Sequence, residues 1–273
     1  MQSQKVKSIH RETHILTSSL LSRDVNLSIF IPLQDITQED ISLLLINDGQ
    51  DLAVMNFEAI ITDLYEAGEI VPVFFVGIEC SDDRKNEYGT AKFLDSRGRG
   101  TKALVYHRFI FEELLPFIRS NYSQYSFKDK SFCGFSLGGL SALDIVWNHP
   151  TEFTNVGVFS GSLWWRTVSQ NDPSFDERNH RIMHIQIRNG EYYPWLKFFF
   201  QTGTLDETAD RNKNGIIDSI DDTQSLIEEL VKKGYNPHSD IKYLELKDGN
   251  HNVPTWGRAF PEFLKWVFNQ QLP

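Results

Sequence analysis

A chain of 273 residues, 40% of them apolar and with 20 Phe and 6 Trp, can bury a sizeable core as one α/β unit. Its 37 acidic against 27 basic residues give a formal charge of −10, which argues against nucleic acid or a membrane surface as partner, since both select basic patches. Two cysteines, Cys80 and Cys133, form no disulfide framework and read as free thiols.

No apolar run approaches the ~18 residues that span a bilayer. Met1–Lys7 leads into no apolar h-region, so the expected location is the cytoplasm, or a periplasmic or secreted one if a leader was removed.

Residues 13–20 and 24–31 read as two strands joined at Ser22-Arg23, with Val25, Leu27, Ile29 and Ile31 alternating with polar neighbours as in a half-buried antiparallel pair. His10 and His14 are placed ahead of the sheet. Ser42–Ile46 is continuously apolar, the pattern of a strand covered on both faces, and stops at the turn Asn47-Asp48-Gly49-Gln50-Asp51. A helix is expected over 56–67, with Phe57, Ile60, Ile61 and Leu64 on its apolar face, and a second doubly buried strand over 70–78. Residues 80–100 are polar and rich in glycine and charge. A loop of that length is usually functional or mobile.

A long helix over 102–121 follows, with Pro116 placed to kink it. After it, Lys130–Cys133 reads as a strand, and a helix starts at Ser136 and ends near His149-Pro150. Val156–Ser160 and Trp195–Thr202 read as strands, 176–188 and 223–233 as helices, Ile241–Leu246 as the last strand and Pro254–Phe268 as the last helix. Strands alternating with helices imply a mostly parallel central sheet covered on both faces and entered through the antiparallel hairpin, in a single domain over 1–273.

Between the strand and helix around residue 135 lies Gly134-Phe135-Ser136-Leu137-Gly138, a G-x-S-x-G sequence. In a nucleophile elbow the serine stands on a sharp strand-to-helix turn with its hydroxyl exposed, and the glycines let the backbone pass close. Functional groups of such sheets collect in loops at the carboxyl ends of strands. Asp206 follows the 195–202 strand and His251 the 241–246 strand, so Ser136, Asp206 and His251 are the expected triad, in the chain order Ser, acid, His. Serine needs a base to take its proton, histidine titrates near neutrality, and the carboxylate orients the imidazole.

Glu207 is the alternative acid. Asp206 is preferred because it comes first after the Gly203 turn and has the shorter reach. The N–H groups of Leu137 and Gln50 are the expected oxyanion donors. Trp164, Trp165 and Tyr88 are candidates to contact substrate. Arg97, Arg99 and Lys102 are either anion contacts or solvated charge.

At these residues the chain resembles the esterase D-like family of α/β hydrolases, which includes enterochelin esterases, S-formylglutathione hydrolase, acetyl-xylan and feruloyl esterases, and mycolyltransferases. The matching stretches are Leu45–Gln50, Glu87-Tyr88-Gly89, Phe109–Pro116, Gly134–Gly139, Ser160–Trp165 and Gly249-Asn250-His251. The resemblance implies an α/β-hydrolase fold and hydrolysis of a carboxylic ester or thioester through an acyl-enzyme, with no catalytic cofactor. The partner expected is a small-molecule or glycan-linked ester. It also supports Gln50, because the Asp-Gly-x turn of the relatives lends an oxyanion N–H. Acyl transfer on the same triad and an inactive hydrolase fold used for binding are the alternatives.

Residues 210–221 form a second motif, an EF-hand-like loop insertion. Asp210, Asn212, Asn214, Asp218 and Asp221 fall at oxygen-ligand positions, Gly215 at the turn position, and Ile216 offers its carbonyl. The last position holds Asp rather than Glu, as dockerin loops tolerate. The expectation is a structural Ca²⁺ that fixes this excursion and so positions Asp206.

Overall fold

The computed structural model describes residues 6, 8–33 and 41–270. The Met1–Lys7 stretch lies, Val6 apart, outside them. Strands β1 (Ser8–Ser18) and β2 (Arg23–Leu33) form the expected antiparallel hairpin, longer at both far ends than the alternation suggests. His10 and His14 therefore lie on β1, inside the sheet rather than ahead of it. β3 (Ile41–Asn47) runs into a 3₁₀ turn (Gly49–Asp51), α1 (Phe57–Glu66) and β4 (Val73–Ile78). The 80–100 loop contains one short helix, α2 (Arg84–Glu87).

The expected long helix is three segments: α3 (Ala103–Arg108), a π-helical stretch (Phe109–Leu114) and α4 (Leu115–Asn121). Pro116 has no N–H to donate and its ring crowds the carbonyl one turn back, so the widened π register precedes it. β5 (Phe127–Phe135) and α5 (Leu137–Asn148) flank Ser136. β6 (Asn155–Phe159) leads to α6 (Glu177–His180) and α7 (Ile182–Asn189), which break at the extended backbone of Arg181. β7 (Lys197–Leu205), α8 (Asp218–Lys233), β8 (Ile241–Asn250) and α9 (Val253–Val267) complete the chain. α8 starts five residues before the expected 223, inside the EF-hand-like loop.

The eight strands form one sheet in the order β1-β2-β4-β3-β5-β6-β7-β8, parallel from β4 through β8. Leu43, Leu45 and Phe132 face one apolar layer, while Leu44, Ile46, Cys133 and Phe135 face another built with Phe57 and Phe260. Both faces are dry, which is why the central strands read as unbroken apolar runs. This is the α/β-hydrolase fold. Both cysteines are free thiols, Cys133 buried and Cys80 partly so. Among the described residues no helix is long and apolar enough to cross a membrane.

Candidate active site

Because β5 to β8 are parallel neighbours, their carboxyl ends deliver Ser136, Ser160, Asp206 and His251 to one edge of the sheet. Ser136 has φ 54° and ψ −118°, a region that side chains rarely occupy. Surrounding contacts hold it there. Its N–H donates to Phe159 O at 2.8 Å, and its carbonyl accepts from Ser162 N at 3.0 Å and Gly139 N at 3.1 Å. A side chain at Gly134 would run into the carbonyl of Gly138, and one at Gly138 into the carboxylate of Asp48. The hydroxyl of Ser136 lies 3.4 Å from that of Ser162.

Asp206 and His251 come together because β7 and β8 outrun the lengths expected of them. The pairing extends to Leu205 opposite Asn250, across a bulge where Gly203 lies against Gly249. Asp206 Oδ2 accepts from Gly203 N at 3.0 Å. Burial raises the carboxyl pKa of Asp206, against the hydrogen bond from Gly203, the Ser160 hydroxyl and the charge of His251. Burial lowers the pKa of His251, the Asp206 carboxylate opposes this, and the Arg84 charge adds to it. Asp206 Oδ1 is buried without a partner, and no hydrogen bond joins Asp206, His251 and Ser136 among the described residues. Glu207 lies beside Asp206 but accepts from the backbone of Ser219, on the first turn of α8.

Among the described residues the Leu137 N–H, at the first position of α5, has no backbone acceptor outside its helix, and neither does the Gln50 N–H outside its turn. The turn carrying Gln50 is held against the elbow by polar side chains, among them Arg84, for which the sequence suggests no role. Arg84 forks onto both oxygens of Asp48 at 2.7 Å and also donates to Phe135 O at 3.1 Å. Asn47 Nδ2 reaches Gly138 O at 2.8 Å, and Tyr106 donates to Asn47 Oδ1 at 2.6 Å. Asp48 has φ 61°, and its N–H donates to the Tyr88 hydroxyl at 3.2 Å. The one sequence signal for Arg84 was its place in the long polar loop, three residues before the Glu87-Tyr88-Gly89 match.

Two of the three expected substrate contacts have no free surface. Tyr88 and Trp165 are both 0% exposed. Tyr88 braces the Asp48 turn from beneath Arg84, and Trp165 packs against Gly89. Trp164 is half-buried and lines a 370 Å³ cleft with Arg97, Arg166 and Glu207. Arg99 is bound to Asp95 and lies 5.0 Å over the Trp164 ring, and Lys102 pairs with Asp83, whereas Arg97 has no ion pair among the described residues.

In the 210–221 loop, Asp210 accepts from Asn214 N at 3.1 Å and Gly215 N at 2.9 Å, Asn214 Oδ1 accepts from Ile216 N at 2.8 Å, and Gly215 has φ 86°. This is the curl that an oxygen-ligand loop needs. The far side differs: Arg211 contacts Asp218 at 3.2 Å and approaches Asp221 at 3.9 Å. No three His, Cys, Asp or Glu side chains converge on a metal position among the described residues. The donors suit a hard cation, with the Arg211 guanidinium as its competitor.

Residues 18–267 match the Esterase family model, described as "Putative esterase". Over 148 residues the chain is 34% identical to the iron(III) salmochelin esterase of Escherichia coli O6:H1 (strain CFT073), an alignment covering 53% of this chain and 33% of that protein. The chain thus spans about a third of the length of that curated relative. Among solved structures, the enterobactin esterase FES from Shigella flexneri, determined in the presence of enterobactin, superposes with a TM-score of 0.71 at 22% identity over 96% of this chain and 59% of that one. The siderophore hydrolase EstB from Aspergillus nidulans gives 0.68 at 19% identity over 96% of each chain. With a strained serine elbow on a sheet of this topology, and a family model covering nearly the whole length, the chain belongs to the esterase family.

Proposed function

We propose that this protein hydrolyses a small-molecule carboxylic ester through an acyl-enzyme on Ser136. The observation that carries the reading is that parallel strands bring a serine held at positive φ, a carboxylate and an imidazole to one edge of the sheet. Ser136 Oγ attacks the ester carbonyl carbon while His251 takes its proton, and Asp206 stabilises the imidazolium. The N–H groups of Leu137 and Gln50 receive the oxyanion. Collapse of the tetrahedral adduct breaks the acyl–oxygen bond, and His251 returns the proton to the leaving alcohol. Water then repeats the sequence on the acyl-serine and releases the acid.

Trp164 and the cleft beside it take part of the substrate. Esters of the kind named in the relatives' descriptions, enterobactin and salmochelin, are the first to try, followed by feruloyl and acetyl-sugar esters. The test is turnover of p-nitrophenyl acetate and of that panel, with Ser136→Ala in parallel. Loss of all turnover in the variant is expected; undiminished turnover would overturn the proposal.

The proposal extends to the 210–221 loop, where Ca²⁺ would be held by Asp210, Asn212, Asn214, the Ile216 carbonyl, Asp218 and Asp221. There it would neutralise the carboxylates and brace the segment that begins four residues after Asp206.

A further inference from the structure

Behind the catalytic edge lies an indole that the reaction as described does not use. Trp256, on the first turn of α9, is 6% exposed and touches three parts of the site. Its ring meets His251 edge-on, with centroids 5.4 Å apart and planes at 81°. It stacks on Phe135, the residue before the nucleophile, at 5.2 Å and 19°. Its Nε1–H donates to the hydroxyl of Ser160 at 3.0 Å.

Ser160 sits at the carboxyl end of β6, 1% exposed, with φ 43° and its N–H fixed to Gln201 O at 2.8 Å. A non-glycine residue at that φ is strained and persists only where surrounding contacts impose it. A hydroxyl that accepts from an indole still has its own proton to give. Asp206 Oδ1 is buried and takes no hydrogen bond among the described residues, and Ser160 counts among the groups that stabilise the Asp206 charge.

We propose that Trp256 and Ser160 are a positioning pair for the catalytic acid and base: the indole N–H sets the Ser160 hydroxyl so that its proton is offered to Asp206, while the indole ring sets the plane of His251. The inference rests on the assignment of Ser136, Asp206 and His251 made above. Neither residue touches the reacting atoms. The charged groups acting on the acid and base are few: Asp206 and Arg84 on His251, His251 on Asp206, with Glu207 adjoining in the chain.

The experiment compares Trp256→Phe, which keeps a ring and loses the donor, Ser160→Ala, and the double variant, on p-nitrophenyl acetate across pH. A hydrogen bond of this kind contributes about 1 kcal/mol, so kcat is expected to fall roughly five- to tenfold in each single variant, with KM unchanged. The two act through one chain of contacts, so the double variant is expected to fall little further than Ser160→Ala alone. With Asp206 held less firmly, the imidazolium loses support, His251 becomes harder to protonate, and the acid limb of kcat/KM moves to lower pH. Folded variants with the parent kcat and pH profile, or single effects that simply multiply in the double, would overturn the pairing. If Trp256→Phe fails to fold, Ser160→Ala with its pH profile decides. An active Ser136→Ala would instead remove the catalytic assignment, while an inactive one beside unaltered Ser160 and Trp256 variants removes only this inference.

Discussion

In the proposed triad, reach and surroundings favour Asp206 over Glu207 as the partner of His251. Asp206 leads the β7 turn, takes the Gly203 N–H and exchanges charge effects with His251, whereas Glu207 is turned to the start of α8. Asp206→Asn is therefore expected to lower kcat by roughly 10³–10⁴-fold, the scale of losing the acid of a serine triad, while Glu207→Gln costs less than threefold in the same assay. The opposite order would transfer the role to Glu207. The pH dependence follows from the state of the base. As the proposed base, His251 must be neutral to accept the serine proton, and its pKa is lowered, first by burial and then by Arg84, against the Asp206 carboxylate. Activity is thus retained as pH falls to the ordinary imidazole range near 6.5 and is lost below it. A kcat/KM profile whose acid limb lies well above that range would contradict this.

The turns where elements end do most to build the site, and they were unevenly legible. The Ser136 elbow could be read because its constraint is chemical: small residues must stand where backbone passes close, and Gly134 and Gly138 do. The reach of β7 and β8 could not be read, because periodicity reports apolar burial, and their last residues pair across a glycine bulge instead of packing a core. Expecting those strands to end at 202 and 246 hid how Asp206 and His251 come to adjoin. The same blindness hid Ser160, Ser162 and Trp256, whose importance lies in contacts between elements distant in the chain. Gly203→Ala tests this scale. A methyl there would strike the Gly249 carbonyl, so kcat is expected to fall at least tenfold with a loss of about 1–3 kcal/mol in stability. Parent-like kcat would mean that the bulge does not set the acid–base approach.

For the molecule as a whole, the sheet and its order of chemistry were legible because both layers are apolar and the strands alternate with helices. The hairpin, the doubly buried strands and the class of fold follow from that patterning. The interior roles of Tyr88 and Trp165 did not, since an aromatic residue beside a site has the same sequence signature whether it lines the pocket or props up its floor. At this scale the acidic 210–221 loop makes its own prediction. Millimolar Ca²⁺ should raise the Tm of chelator-treated protein, because a ligand bound only by the folded state stabilises it by mass action. Asp210→Ala should abolish the increase. Equal Tm with Ca²⁺ and with chelator would leave the loop held by Arg211 and its own hydrogen bonds alone.

The proposed mechanism requires Ser136 Oγ to carry the acyl group. Intact-mass analysis after reaction with a fluorophosphonate ester probe measures that directly. A single adduct mapped to Ser136, absent in Ser136→Ala and formed far more slowly in His251→Ala, is the result predicted. An adduct on another residue, or labelling of Ser136→Ala at the parent rate, would contradict it.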